Sequence, residues 1–208
     1  MEARKPRGRE AEAVRNDTRI LEAARAVYTA DPRAPIQAVA AKANVGIGAL
    51  YRRYENKDAL VAELCRIALL AYVEEAERAA ADTGDAWTVF STFLERVVDA
   101  GAGSLTSRLA GTFKPTPELF ELGQRGRELN QQLLERAQRA GAVRADLTTE
   151  DLGLIYEQLA AIVLGNPALQ KQLRRRYLAM LLAGFRDDGS ELPGPPPGPA
   201  ELARRWRS

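Results

Sequence analysis

Residues 36–54 read IQAVAAKANVGIGALYRRY and are closed off by Lys57 and Leu60; the rest of the 208-residue chain is read around them. Ile36, Val39, Ala40 and Ala43 stand at i, i+3, i+4 and i+7, a spacing that gathers apolar groups on one face of a short helix. Pro35 suits the first turn of that helix, where no amide donor is missed. The pattern breaks at Asn44-Val45-Gly46: Asn44 tolerates the left-handed backbone of a sharp reversal, and Gly46 can stand as the N-cap of a second helix from Ile47. On that second helix Leu50 and Tyr54 share one face, and Gly48, Ala49, Tyr51, Arg52 and Arg53 cover the other directions. Val45 is expected to plug the crossing. Two short helices joined by a tight turn and packed at a wide angle describe a helix-turn-helix, whose second helix can enter a DNA major groove.

At these residues the chain resembles the TetR/AcrR family of transcriptional regulators. The family's usual run, AGVS-x-GTLY-x-HF-x-x-K-x-x-L, is met here by ANVGIGALYRRYENKDAL, with Ala43, Val45, Gly48, Leu50, Tyr51, Lys57 and Leu60 matching and Tyr54 replacing Phe. Asn44 stands for the turn glycine, Gly46 for the capping serine, Ile47 for a commonly polar residue, Ala49 for a threonine and Arg53 for a histidine. The changes at 46 and 49 remove two hydroxyls, and Arg53 adds a cation.

From the remaining composition a soluble, cytoplasmic protein is expected. Hydrophobic residues make up 46% of the chain, enough for a substantial core. No run of about 18 uncharged apolar residues occurs, and the N-terminus is charged where a signal peptide needs an apolar centre. There is no histidine and one cysteine, Cys65. Histidine triads, the usual Cys/His zinc sites and intrachain disulfides therefore cannot be built, and no enzyme, cofactor or metal site is expected. Cys65 lies beside Leu64 on an apolar helical face and is read as packing rather than as a redox sensor. Residues 1–58 carry 12 Lys/Arg against 8 Asp/Glu, and residues 59–208 carry 18 against 20, a basic N-terminal part on a nearly neutral remainder.

The expected fold is all-α, with about nine helices: a three-helix helix-turn-helix head on a larger helical body for ligand binding and dimerisation. Residues 1–14 form a basic arm, 15–58 the head, 59–186 the body and 187–208 a Pro/Gly-rich tail. A support helix is expected over Glu12–Ala30, capped by Asn16 or Asp17, and a fourth helix from Lys57 to about Ala81, capped by Asn56. Further helices are expected from Asp85 or Ala86 to Ala100, Ser104 to about Thr112, Glu118 to about Ala140, Thr148 or Thr149 to about Leu164, and Ala168 to Phe185. Gly123 and Gly126 inside the long seventh helix point to close approach or local weakness. Leu192 to Pro199 cannot be helical, and Ala200 to Trp206 is expected as a short turn.

On DNA, Ile47, Ala49 and Arg52 are assigned to base edges, with Gly46 at the helix start; Arg52 suits guanine, and Ile47 and Ala49 suit thymine methyls. Arg53 and the basic arm residues Arg4, Lys5, Arg7 and Arg9 are assigned to phosphates or the minor groove. By resemblance, Tyr51 and Lys57 contact phosphate, the fourth helix couples head to body, and the body helices enclose a small effector. Trp87, Phe90, Phe93, Leu105, Arg108, Leu109, Phe113 and Phe120 are the candidates to line that pocket, the plainer reading of each being ordinary core. The last two long helices, through Leu152, Ile155, Leu159, Leu173, Tyr177 and Leu181, are expected to build a homodimer by resemblance, the alternative being that both stripes are used up within one subunit. The expectation is thus a ligand-responsive repressor that binds a palindromic double-stranded DNA operator as a homodimer, without a membrane partner. The alternative is a helical binding or scaffold protein with a degenerate head.

Overall fold

The computed structural model describes residues 8–186 and 190–204. Among them the secondary structure is entirely helical, in ten helices. The chain divides into two compact units, residues 1–64 with 112–114, and residues 65–111 with 115–208.

The first unit holds α1 (Gly8–Ala30), α2 (Ile36–Ala43), α3 (Ile47–Arg53) and the first two turns of α4 (Lys57–Ala81). Its core follows the apolar spacing of the sequence: Ile20, Ala24 and Tyr28 of α1, Ile36, Val39, Ala40 and Ala43 of α2, Leu50 of α3, and Leu60, Val61 and Leu64 of α4 are all buried, as is Tyr54. Asn44 ends α2 in the left-handed region, with φ 52° and ψ 49°. The Val45 amide returns to the Ala40 carbonyl at 3.1 Å. Gly46 is extended and caps α3 through its carbonyl, which accepts from the Ala49 and Leu50 amides. Asn56 caps α4, its side-chain oxygen accepting from the Ala59 amide at 2.8 Å.

One expectation fails in α1. The helix begins at Gly8, so Asn16 and Asp17 are interior residues rather than caps. The Glu-Ala-Glu-Ala run at 10–13 is made of good helix formers and carries the helix past them. Asp17 is thereby left free to bond elsewhere.

The second unit contains the remainder of α4, α5 (Ala86–Ala100), α6 (Ala102–Leu109), α7 (Pro117–Arg139), α8 (Thr149–Ala160), α9 (Pro167–Gly184) and α10 (Pro199–Ala203). A buried hydrophobic cluster in it runs through Val73, Phe90, Phe93, Leu94, Leu129, Leu133, Leu152, Tyr156, Leu159 and Leu178. Helix starts are set by local chemistry: Asp85 accepts from the Thr88 amide, Thr116 from Leu119 and Asn166 from Leu169, and Thr148 with Asp151 forms a reciprocal capping box. α6 begins at Ala102, not Ser104, because Gly101, in the left-handed region at φ 60°, both ends α5 and opens α6.

α8 stops at Ala160, short of Leu164. The Arg174 guanidinium of α9 takes the Ala160 and Ile162 carbonyls at 3.3 and 3.2 Å, giving those groups partners outside α8. The chain then turns outward, and Val163 and Leu164 are exposed. Arg174 thus caps the C-terminal end of α8. Near the C-terminal end, the buried Arg144 guanidinium makes a bidentate pair with Asp146 and also donates to the Ser190 carbonyl, while the Leu192 amide donates to Asp146. These bonds hold the segment after α9 on the α7–α8 connection.

Candidate nucleic-acid interface

α3 has two sharply different faces. Leu50 is fully buried, whereas Ile47 is 40% and Tyr51 45% exposed, with Gly48, Arg52 and Arg53 also outward and Ala49 half-buried. The outward face carries the residues that the sequence assigns to base edges. Gly46 at its start is exposed, and a Cβ there would meet nothing within 4 Å. The glycine is therefore not sterically required, and a residue with a capping hydroxyl fits the same space.

Three interactions fix α3 and its turn. The Asp17 carboxylate of α1 accepts from Arg53 Nε at 2.9 Å, from Arg53 Nη2 at 3.0 Å and from the Tyr54 hydroxyl at 2.7 Å. The Arg53 guanidinium also lies 5.2 Å from the Tyr54 ring centroid. Partial burial raises the Asp17 pKa, but the bonds from Arg53 and Tyr54 and the guanidinium charge outweigh it and hold the carboxyl below its ordinary range. Arg19, also on α1, donates to the Ala43 and Asn44 carbonyls at 2.6 and 3.1 Å, capping the end of α2 across the turn.

Lys57 is half-buried. Its Nζ donates to the Ala34 carbonyl at 2.9 Å and the Pro32 carbonyl at 3.3 Å, and it sits 5.1 Å from the Tyr28 ring centroid. Burial pushes the Tyr28 hydroxyl up to about 12, so the lysine faces a neutral ring. Two cations that the sequence assigns to phosphate, Arg53 and Lys57, are thus engaged by the protein itself. Sequence reading missed Asp17 and Arg19 because their partners lie 24 to 37 positions away, beyond any local pattern. Arg4, Lys5 and Arg7 lie outside the described residues, as does the side chain of Arg9.

In the second unit, Phe90, Phe93, Leu105 and Leu109 are buried, Trp87 and Arg108 are half-buried, and Phe120 is 73% exposed. Phe113 is buried within the first unit. The Phe93 ring meets Tyr72 edge-on at 5.8 Å, and the Arg186 guanidinium lies 4.3 Å from the Trp87 ring centroid. A cavity of about 210 Å³ opens elsewhere, between Val98, Asp99, Pro167, Gln170, Lys171 and Arg174. That is smaller than the roughly 300–1,000 Å³ of ordinary small-molecule pockets.

Of the residues assigned to self-association, Leu152 and Leu159 are consumed in the core of their own chain, and Ile155, Leu173 and Leu181 are half-buried. Tyr177 is 47% exposed, and its neighbour Met180, absent from the sequence-based set, is 62% exposed.

Residues 20–64 match the family described as bacterial regulatory proteins of the tetR family, and residues 82–187 match the SbtR-like transcriptional regulator C-terminal domain. No curated protein matches the chain in sequence. Among solved structures, the chain is similar to the TetR-like regulator LfrR of Mycobacterium smegmatis in complex with proflavine, at 22% identity and TM-score 0.59 over 86% of this chain and 99% of that one. It is also similar to the TetR regulator SCO0520 of Streptomyces coelicolor, at 22% identity and TM-score 0.53 over 83% and 99%. A gamma-butyrolactone receptor described as ArpA-like is matched at 17% identity and TM-score 0.55 over 95% of each chain. With a two-faced helix-turn-helix at residues 36–53 and family matches over both the head and the body, the chain belongs to the TetR family of bacterial transcriptional regulators.

Proposed function

We propose that this regulator is a repressor that binds a palindromic operator as a homodimer and releases it when a small organic effector binds the helical body. The observation that carries the reading is the outward face of α3, where Ile47, Tyr51 and Arg52 stand exposed opposite a fully buried Leu50. In this reading Ile47 and Ala49 meet thymine methyls, Arg52 takes a guanine edge, and Tyr51 with the Gly46 amide end contacts phosphate. The basic residues at 4, 5, 7 and 9 add sequence-independent attraction. With so few polar groups on α3, the operator's shape and deformability supply part of the discrimination.

Dimerisation uses the exposed apolar groups of the last two long helices. Tyr177 and Met180 stand one turn apart on α9 and form its centre, and Leu173 and Leu181 flank them. Two recognition helices then sit about 34–36 Å apart, one turn of DNA. The effector acts by preferring a body conformation with a different head spacing, and its leverage equals its differential affinity for the two states. The buried aromatic residues around Phe90 and Phe93 are where such a molecule would be accommodated. That LfrR is complexed with proflavine and the ArpA-like protein is a gamma-butyrolactone receptor supports a compact organic effector.

The test is selection of random duplexes by the purified protein, followed by affinity for the enriched sequence across a salt series. A palindromic winner with a steep salt dependence is expected. Binding without sequence enrichment would overturn the operator reading and favour a scaffold role. Substitution of Tyr177 and Met180 by Glu should yield a monomer that binds half-sites weakly; an unchanged dimer would place the interface elsewhere.

A further inference from the structure

The first unit contains an acidic residue that neither the family match nor the motif assigns to DNA recognition. Asp17 is three-quarters buried at its side chain, and a single carboxylate receives both planar nitrogens of Arg53 on one edge of its guanidinium and the Tyr54 hydroxyl. Tyr54 is itself buried and ends α3, and Arg53 is the last residue of that helix. One group on α1 thus holds both residues at the C-terminal end of the recognition helix. It also neutralises a cation on the face that points outward. Isolated surface ion pairs contribute little, but a bidentate fork with a third, partly buried donor is the geometry in which such a pair is held.

We infer that Asp17 is a positioning residue for DNA binding, which clamps the C-terminal end of α3 through Arg53 and Tyr54 and withholds the Arg53 charge from the phosphate backbone. The inference rests on the reading of α3 as the DNA-entering helix. Its consequence is selective. A free guanidinium at this position would add a phosphate contact on every sequence alike, raising non-specific affinity without base information. Pairing it with Asp17 keeps the helix end rigid, so that discrimination rests on Ile47, Ala49 and Arg52.

The experiment compares wild type, Asp17→Asn, Arg53→Gln and the double variant on a random-sequence duplex and on the selected operator, from low to moderate salt. Asp17→Asn is nearly isosteric and keeps an oxygen for Tyr54, but it removes the charge that holds Arg53. The expected result is a salt dependence steeper by about 0.9 in log–log slope per head, or about 1.8 for a two-headed dimer, with a narrower ratio of operator to random affinity. The double variant should return to the wild-type slope, and Arg53→Gln alone should leave it unchanged. A merely structural Asp17 would lower thermal stability with no change in slope, and that outcome overturns the inference. So does a slope flattened by Arg53→Gln alone, which would show that the wild-type guanidinium already meets phosphate. Arg53→Gln alters an exposed side chain, so this comparison stands even if Asp17→Asn fails to fold. A wild type that binds duplexes without sequence preference would refute the operator reading by itself, and the slopes on random DNA would still decide the role of Asp17.

Discussion

Replacing Gly126 by Ala should destabilise the protein, whereas the same change at Gly123, three residues earlier on α7, should stabilise it. In a helix interior the Ala methyl normally stabilises by about 0.8–1.0 kcal/mol, because Gly loses more backbone freedom on folding. At Gly123 a Cβ meets nothing within 4 Å, so that gain is expected in full. At Gly126 the Cβ would lie 3.0 and 3.1 Å from two ring carbons of Tyr72 and 3.6 Å from a Val73 methyl. Carbon atoms prefer about 3.5–4.0 Å, so the Tyr72 ring must retreat by several tenths of an ångström. It cannot do so freely, because it is packed on the buried core and meets Phe93 edge-on at 5.8 Å. Overpacking of this kind costs about 1–3 kcal/mol, which equals or exceeds the propensity gain and leaves a net loss of about 0–2 kcal/mol. The two variants should therefore differ by about 1–3 kcal/mol. In thermal unfolding followed by circular dichroism, at about 2–4 °C per kcal/mol for a chain of this size, Gly123→Ala should melt above wild type and Gly126→Ala at or below it. Equal stabilisation by both would refute the packing of Tyr72 against α7 and the reasoning built on it.

Other outcomes follow from single contacts. Asn44→Ala should cost about 1 kcal/mol, because Ala lacks the local side-chain bonding that lets Asn occupy φ 52°, whereas Asn44→Gly should be close to neutral; urea midpoints check both. Burial pushes the Cys65 thiol up to about 12, so a disulfide reagent at pH 8 should label it only after unfolding, and rapid labelling of native protein would contradict its burial. Asp99 is held below its ordinary carboxyl range by bonds from Arg175 and Lys171, which outweigh its partial burial. A depressed folded-state pKa contributes stability above the unfolded value and loses it as pH falls through the folded one, so an acid titration of stability should fall below about pH 4, and Asp99→Asn should flatten that fall. Thr148→Ala removes the capping box that opens α8 and should cost about 0.5–2 kcal/mol by thermal melting.

Those parts of the protein whose cause is local are legible in its sequence. The helix-turn-helix was legible because apolar spacing, a left-handed-tolerant Asn44 and a cappable Gly46 act within one or two turns, where backbone sterics leave few alternatives. Helix starts at Ala86, Pro117, Thr149 and Pro167 were legible to within a residue or two for the same reason, since a capping side chain reaches only three residues. Tertiary structure decided what depends on which surfaces meet. Gly123 and Gly126 are the same residue at three positions' distance, yet the helical turn puts only Gly126 against Tyr72. Leu152 and Tyr177 both belong to apolar stripes, but α8 spends its leucine inside the chain and α9 leaves its tyrosine outside. Arg53 reads as a free cation until Asp17, 36 residues earlier, is brought beside it by the packing of α1. Periodicity specifies a face, because it is set by the backbone of one segment; the partner of that face is set by the free energy of the whole packed unit.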